Sequence, residues 1–231
     1  MRILLVNPNT SAAMTEKIAA SARLVAAPGT DVLAVHSLQG PASIEGYYDE
    51  AMSVPGMLAA IQTVVNYDAI VIACFDDTGL DALRCVTDKP VLGIGEAATH
   101  VASMLANKFS VVTTLARSVP ALEHNLLKYG MERKCAKVRS SEVAVLELEQ
   151  ANPQAFAKIC SEIEQAIAQE RAEAIVLGCA GMTDLAETLA NKYGLPVLDG
   201  VSCAISLCES LVRLGVKTSR LGGYAAAVDK S

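Results

Sequence analysis

Short apolar runs, rich in valine and isoleucine, recur along the chain between more polar stretches. They lie at 3–6, 31–35, 69–73, 90–94, 109–114, 135–138, 174–178 and 196–200. Most of them do not alternate apolar with polar residues, which is typical of parallel strands covered on both faces. Between them, Thr10 to Val25 starts with capping residues, and Pro153 to Gln169 has apolar residues every three or four positions. This alternation of strands and helices predicts an α/β fold with parallel sheet.

The two halves of the chain repeat each other at an offset of 105 or 106 residues. Residues 69–74 match 174–179 with a cysteine at the end of each segment, 90–92 match 196–198, and 3–7 match 109–113. A single match between two apolar strands is common by chance, but a constant offset over three elements favours a true repeat. We therefore predict two similar Rossmann-like lobes with parallel sheets, related by a pseudo-twofold axis, with the active site in the cleft between them.

The repeat also predicts how the chain divides. The N-terminal lobe is expected to comprise residues 1–97 plus 207–231, and the C-terminal lobe residues 98–206. The last helix, from Val201, is expected to return to the first lobe.

Composition excludes several classes of protein. Apolar residues make up 52% and charged residues 19% of the 231 residues, which argues against disorder. The net charge of −6 leaves no basic stripe for nucleic acid. No apolar run is long enough to span a membrane or to form a secretory signal, so we expect a cytoplasmic protein that acts on a small molecule.

The seven cysteines form neither a C-x-x-C pair nor, being odd in number, a complete disulfide framework. The three histidines are far apart, so no metal site is expected. Two thiols stand out: Cys74 and Cys179 each end a strand, immediately before a turn and a predicted helix. The carboxyl ends of parallel strands are where ligands bind, and a nearby helix N-terminus favours thiolate. We therefore expect the pKa of both thiols to be lowered, and we interpret the other five cysteines as packing residues.

Two equivalent thiols facing each other across a cleft suit one reaction in particular. A thiolate removes a proton from one face of a carbon acid, and a thiol returns a proton to the other face. The intermediate is an enolate, which backbone N–H groups after each cysteine can stabilise. No cofactor is required.

At these residues the chain resembles the hydantoin and allantoin racemases of the aspartate/glutamate racemase superfamily, over nearly its whole length. The segments that carry the resemblance are 6–10 (VNPNT), 41–46 (PASIEG), 72–77 (IACFDD), 112–115 with 117–120, 176–182 (VLGCAGM) and 196–201. The resemblance implies cofactor-independent, two-cysteine racemisation at C5 of 5-substituted hydantoins or of allantoin, with Cys74 and Cys179 as the catalytic residues, in a homo-oligomer.

The same resemblance implies a set of substrate-binding residues in the cleft. They are Asn9, Ser43, Ile44, Phe75, Asp76, Thr113, Thr114, Arg117, Ala180 and Gly181. The chain departs from the family pattern at Tyr47, where histidine is common, and at Ala116, where proline is common; both departures bear on substrate preference.

Other functions remain open at this point. The runner-up is an allantoin racemase of purine catabolism, followed by an amino-acid racemase or a maleate-type isomerase of the superfamily. A decarboxylase would need only one cysteine, and a non-catalytic binding protein would need neither. The pattern G-x-G-x-x-A at 93–98 is a weak dinucleotide signal, because its repeat at 199–204 lacks it and because Glu96 would repel a pyrophosphate.

Overall fold

The computed structural model describes residues 1–226 and contains two four-stranded parallel sheets. The eight strands confirm the eight predicted runs. They are β1 (Arg2–Asn7), β2 (Asp31–His36), β3 (Ala69–Ile72), β4 (Val91–Gly93), β5 (Phe109–Thr113), β6 (Cys135–Ser140), β7 (Ala174–Gly178) and β8 (Val197–Asp199).

The two sheets have the same strand order. The first is β2-β1-β3-β4 and the second is β6-β5-β7-β8, with every neighbouring pair parallel. Three of the four pairs of strands at corresponding places, β1 and β5, β3 and β7, and β4 and β8, are those that the sequence repeat aligned. The predicted fold class, two similar α/β lobes with parallel sheets, is therefore confirmed.

Within residues 1–226, seven α-helices connect the strands and an eighth follows β8. They are α1 (Ala12–Val25), α2 (Tyr47–Gln62), α3 (Leu80–Val86), α4 (Ile94–Leu105), α5 (Val119–Lys128), α6 (Pro153–Glu170), α7 (Ala186–Tyr193) and α8 (Gly200–Leu214). Short 3-10 helices lie at Ala116–Ser118, Val145–Glu149, Ala180–Leu185 and Gly222–Tyr224.

Burial on both faces explains why the strands are apolar at nearly every position. In β1, Ile3 and Leu5 belong to a core cluster that also holds Phe109 and Val176 of the second sheet. The alternate residues of β1 pack on the opposite face, in a cluster with α2 and α3 residues such as Met57 and Leu80. One shared core thus lies between the sheets, and each sheet has a second core on its outer face.

Two helices cross between the lobes at the centre of the molecule. Helix α4 follows β4 of the first sheet but packs against β7 and β8, whereas α8 follows β8 of the second sheet and packs against β3, β4 and α1. The helices also pack against each other, and there is no space for a side chain at Gly200, because an added Cβ would lie 2.5 Å from the carbonyl oxygen of Ile94.

The predicted lobe boundaries fall within these two crossing helices. A division after residue 97 cuts α4, and one after residue 206 cuts α8. The assignment of 1–97 plus 207–231 and of 98–206 to separate lobes stays a prediction, and residues 227–231 lie outside the described residues.

Candidate active site

The two cysteines lie at the carboxyl edges of β3 and β7, the strands at equivalent places in the two sheets. The turn that follows each of them has the same hydrogen bond. The backbone N–H of Asp77 donates to the carbonyl oxygen of Cys74 at 3.0 Å, and that of Met182 donates to the carbonyl oxygen of Cys179 at 3.1 Å. The repeat in sequence is therefore also a repeat in local backbone structure.

Each sulfur also faces the same kind of donor. The backbone N–H two residues later, that of Asp76 in the first lobe and of Gly181 in the second, acts to lower the pKa of the thiol. Cys74 has a further donor, since the hydroxyl of Thr78 lies 3.5 Å from its Sγ. Both cysteines are half-buried and free, and each is thus positioned by donors that favour a charged sulfur.

Both cysteines line one cavity between the sheets. The structure brings to this cavity every predicted substrate-binding residue except two. The lining includes Asn9, Ile44, Phe75, Asp76, Thr113, Thr114, Ala180 and Gly181 beside Cys74 and Cys179.

The two exceptions, Ser43 and Arg117, do not line the cavity. Arg117 lies in the 3-10 helix Ala116–Ser118 with an exposed side chain, which packs beside Gly46. Ser43 lies half-buried in the loop before α2. Both residues belong to segments that carry the family resemblance. Membership of such a segment therefore does not show that a side chain lines the cavity.

Sequence reasoning also missed part of the lining. The missed residues are Met14, Ala73, Ser118, Val145 and Gly178. Ala73, Ser118 and Gly178 are neighbours of residues that we singled out, so adjacency was a usable signal for them. The sequence predicts Met14 to be a core residue of an amphipathic helix, and Val145 lies in a stretch without clear periodicity. Neither residue therefore had a sequence signal for the cavity.

Some polar groups of the lining already use their hydrogen-bond donors within the protein, and others are free to bind a ligand. The hydroxyl of Thr113 donates to the carbonyl oxygen of Gly178 at 2.8 Å, so it links β5 to β7 and has no proton to spare. The Oδ1 of Asn9 accepts from Asn7 Nδ2 at 2.8 Å and from the N–H of Ser11 at 2.9 Å. These contacts aim the amide of Asn9, whose Nδ2 makes no hydrogen bond to residues 1–226.

A short 3-10 helix, Val145–Glu149, closes one side of the cavity. The Lys17 ammonium holds it by donating to the carbonyl oxygens of Leu148, at 2.7 Å, and of Gly181, at 2.8 Å. The N–H of Val145 donates to Glu45 at 3.0 Å. Side chains from the first lobe thus fasten a segment of the second lobe across the site.

Electrostatics at the thiols correct one expectation. Burial raises the pKa of Cys179 to about 12, with the N–H of Gly181 and the charge of Lys17 acting in the opposite direction. Burial, followed by the charge of Asp76, raises the pKa of Cys74 well above its ordinary value. The prediction that turn and helix N–H groups lower both pKa values was wrong, because desolvation in the closed cavity outweighs them.

In the G-x-G-x-x-A segment at 93–98, the backbone N–H groups that would bind the phosphates of a dinucleotide already donate to a side chain. The carboxyl group of Asp77 accepts from the N–H groups of Gly95, at 2.9 Å, and of Glu96, at 2.7 Å, which are the donors that a pyrophosphate would need. An added Cβ at Gly93 or Gly95 would meet this carboxyl group. The two glycines therefore make room for Asp77 and not for a cofactor.

Residues 1–226 are the part of the chain that the structure describes. No group of three or more histidine, cysteine, aspartate or glutamate side chains there is arranged to hold a metal ion. Among residues 1–226, no helix combines the length and apolar character needed to cross a membrane.

Sequence comparisons with known proteins identify the family of the chain. The sequence model of the family described as Asp/Glu/Hydantoin racemase matches residues 3–208. The chain is 49% identical to a hydantoin racemase of Rhizobium meliloti, over 97% of this chain and 94% of that protein.

Two solved structures share the whole fold. The allantoin racemase from Klebsiella pneumoniae is 46% identical with a TM-score of 0.94, over 100% of this chain and 95% of that one. The allantoin racemase from Pseudomonas fluorescens is 40% identical with a TM-score of 0.97, over 100% of this chain and 99% of that one.

Proposed function

The chain belongs to the Asp/Glu/hydantoin racemase family and is a racemase, and we propose that it racemises 5-substituted hydantoins by proton transfer between C5 and two cysteines. The observation that carries the proposal is the pair Cys74 and Cys179. They occupy equivalent positions in two lobes, receive equivalent backbone donors and open on one cavity.

The proposed reaction moves one proton on each face of C5. The thiolate of one cysteine takes the C5 proton, so the C–H bond breaks, an S–H bond forms, and the electron pair passes onto the adjacent carbonyl oxygen as an enolate. The thiol of the other cysteine then gives its proton to the opposite face of C5. The enantiomer of the substrate leaves, and the proton now sits on the first cysteine, which is the state required for the reverse direction.

The ring polar groups of a hydantoin match the free donors and acceptors of the lining. The Nδ2 of Asn9 can donate to a carbonyl oxygen of the ring. The hydroxyl of Thr114 can also donate, because it donates to no other group within residues 1–226. Burial of the site strengthens each of these interactions, because water does not compete there.

The lining also bears on which substrate is bound. Met14, Ile44, Phe75 and Val145 give the cavity an apolar wall, which favours an apolar 5-substituent over the ureido group of allantoin. Among the described residues, the lining contains no lysine, arginine or histidine. A substrate with free carboxylates, such as an acidic amino acid or maleate, would therefore lack a cationic partner there.

Allantoin is the second candidate substrate. The structural match to two allantoin racemases favours it, with TM-scores of 0.94 and 0.97. Allantoin and the substituted hydantoins share a ring, so the same two cysteines would serve both.

A substrate panel separates the two candidates. We expect kcat/KM for D- and L-5-benzylhydantoin and 5-isobutylhydantoin to exceed that for allantoin by about tenfold or more, because a ureido group loses water in an apolar pocket. Polarimetry of each pure enantiomer measures the rate. Faster turnover of allantoin would make the protein an allantoin racemase, and no turnover of any of these rings would contradict the proposal.

We also propose that the protein is cytoplasmic and forms a homo-oligomer. The seven cysteines are all free, as expected in a reducing compartment. The exposed apolar side chains of Leu38, Tyr48 and Met52 at and near the start of α2 support a surface for a second copy of the chain.

A further inference from the structure

Two carboxyl groups meet in the wall of the cavity beside Cys74. Asp76 lines the cavity and is only 9% exposed. The carboxyl group of Glu50, from the first turn of α2, faces Asp76 closely enough that each group shifts the pKa of the other. Neither the Oδ2 of Asp76 nor the Oε1 of Glu50, both fully buried, accepts a hydrogen bond from any N–H or O–H group within residues 1–226.

This contact has a chemical requirement. Ionised carboxylates only accept hydrogen bonds, so two of them in contact have nothing to share unless one holds a proton. A nearby cation would remove the requirement, but no ion pair within residues 1–226 involves either group. One proton and one negative charge between the two groups would meet this requirement.

The surroundings of the pair favour the same state. Burial, followed by the charges of Glu50 and Asp77, raises the pKa of Asp76 well above its ordinary range, and burial raises the pKa of Glu50. Cys74 and Cys179 also face Asp76 and become negative when ionised. Lys17, which lies outside the cavity lining, is fixed at the carbonyl oxygen of Gly181, on the side of Cys179.

We propose that Asp76 and Glu50 share a single proton in the free protein, and that, when substrate binds, Asp76 keeps this proton and donates it in a hydrogen bond to the substrate carbonyl oxygen next to the reacting carbon. The identity of that oxygen rests on the proposed function, whereas the shared proton does not. Glu50 touches no substrate in this arrangement and is a positioning residue.

The shared proton has a clear advantage for the chemistry. The negative charge of the enolate develops on the oxygen of the carbonyl carbon bonded to C5, and Asp76 is close enough to the sulfur of Cys74 to shift its pKa. A neutral acid at this place stabilises that charge, whereas an ionised Asp76 would repel both the enolate and a thiolate at Cys74.

Infrared spectroscopy tests the shared proton directly on the full-length protein without substrate. At about pH 8, above the value of about 7 to which burial raises the pKa of Asp77, we expect the carbonyl stretch of a protonated carboxylic acid. Asp76→Asn and Glu50→Gln should each remove this band, and Glu16→Gln, which changes an exposed glutamate of α1, should retain it. A wild-type protein without the band, or a band that survives both changes, would overturn the proposal.

Activity tests the donor role separately. In Glu50→Gln the glutamine amide donates to Asp76 and leaves it ionised, so kcat at neutral pH should fall by about 10- to 100-fold, more than KM changes, and should recover as the pH is lowered and Asp76 takes up a proton. Asp76→Asn retains an N–H donor and should keep more activity than Glu50→Gln. The reverse order, or a Glu50→Gln variant with the wild-type pH profile, would refute the donor role. If no ring substrate is racemised at all, the proposed function fails while the infrared result still decides the shared proton.

Discussion

Replacement of either Cys74 or Cys179 by serine should abolish racemisation and leave the protein folded. Serine has nearly the same shape as cysteine, so the turn hydrogen bonds to Cys74 and Cys179 backbone oxygens are retained. Its hydroxyl is far less acidic than a thiol, however, and can neither take the C5 proton as an anion nor give one up readily. Since each face of C5 needs its own acid or base, we expect a loss of at least about a thousandfold in kcat.

The design has an internal control and a second readout. Cys85 is also free and half-buried, but it lies on α3 with its thiol against the carbonyl oxygen of Gly223, so Cys85→Ser should keep wild-type activity. Each active-site variant should still exchange the C5 hydrogen of one enantiomer with solvent, because one thiol remains for one face. Racemisation at the wild-type rate in either single variant would exclude the two-thiol mechanism.

The second large effect is expected on stability, from Asp77→Ala. The Asp77 carboxyl group accepts the N–H groups of Gly95 and Glu96 at the start of α4 and the hydroxyl of Tyr129 at 2.7 Å. Helix α4 has no side-chain cap of its own residues, so alanine leaves three donors unpaired inside the protein. The expected loss is about 2–4 kcal/mol in the free energy of unfolding, from a lost helix cap and an unsatisfied tyrosine.

The second lobe provides the matched comparison. Asp199 caps α8 from its own N-terminus, accepting from the N–H of Ser202 at 2.8 Å and from the hydroxyl of Thr183 at 2.7 Å. Asp199→Ala should therefore also destabilise the protein, but by less, because two donors are lost there and not three. Urea unfolding followed by circular dichroism measures both. Equal stability of Asp77→Ala and wild type would show that water satisfies these groups and that Asp77 does not fix the turn after Cys74.

These two caps also show what the sequence could and could not predict. The strands were predictable because burial on both faces leaves nearly uninterrupted apolar runs, and the two lobes because the repeat keeps a constant offset. Asp77 was not predictable as a cap of α4, since its partners lie 18 and 19 residues away and are joined to it only by the packing of the turn on the helix. The glycines at 93 and 95 carried that signal, but they resembled a dinucleotide motif.

The same limit applied to the site. Residues beside the cysteines, such as Phe75, Asp76 and Gly181, follow from the strand ends. Loop residues do not: Val145 reaches the cavity because Lys17 and Glu45 hold its segment in place, whereas Arg117 stays exposed. The direction of the thiol pKa shifts was also missed, because desolvation depends on how far the cavity closes.

Hydrogen exchange during racemisation in deuterated buffer tests the central claim most directly. With one pure enantiomer of 5-benzylhydantoin at neutral pH, optical rotation and mass spectrometry of the separated enantiomers are followed from the start, beside a reaction without protein. Two opposed thiols predict that the newly formed enantiomer carries deuterium at C5 while the remaining substrate keeps its hydrogen. An inverted product that retains the original hydrogen, or equal early deuterium in both enantiomers, would contradict the account.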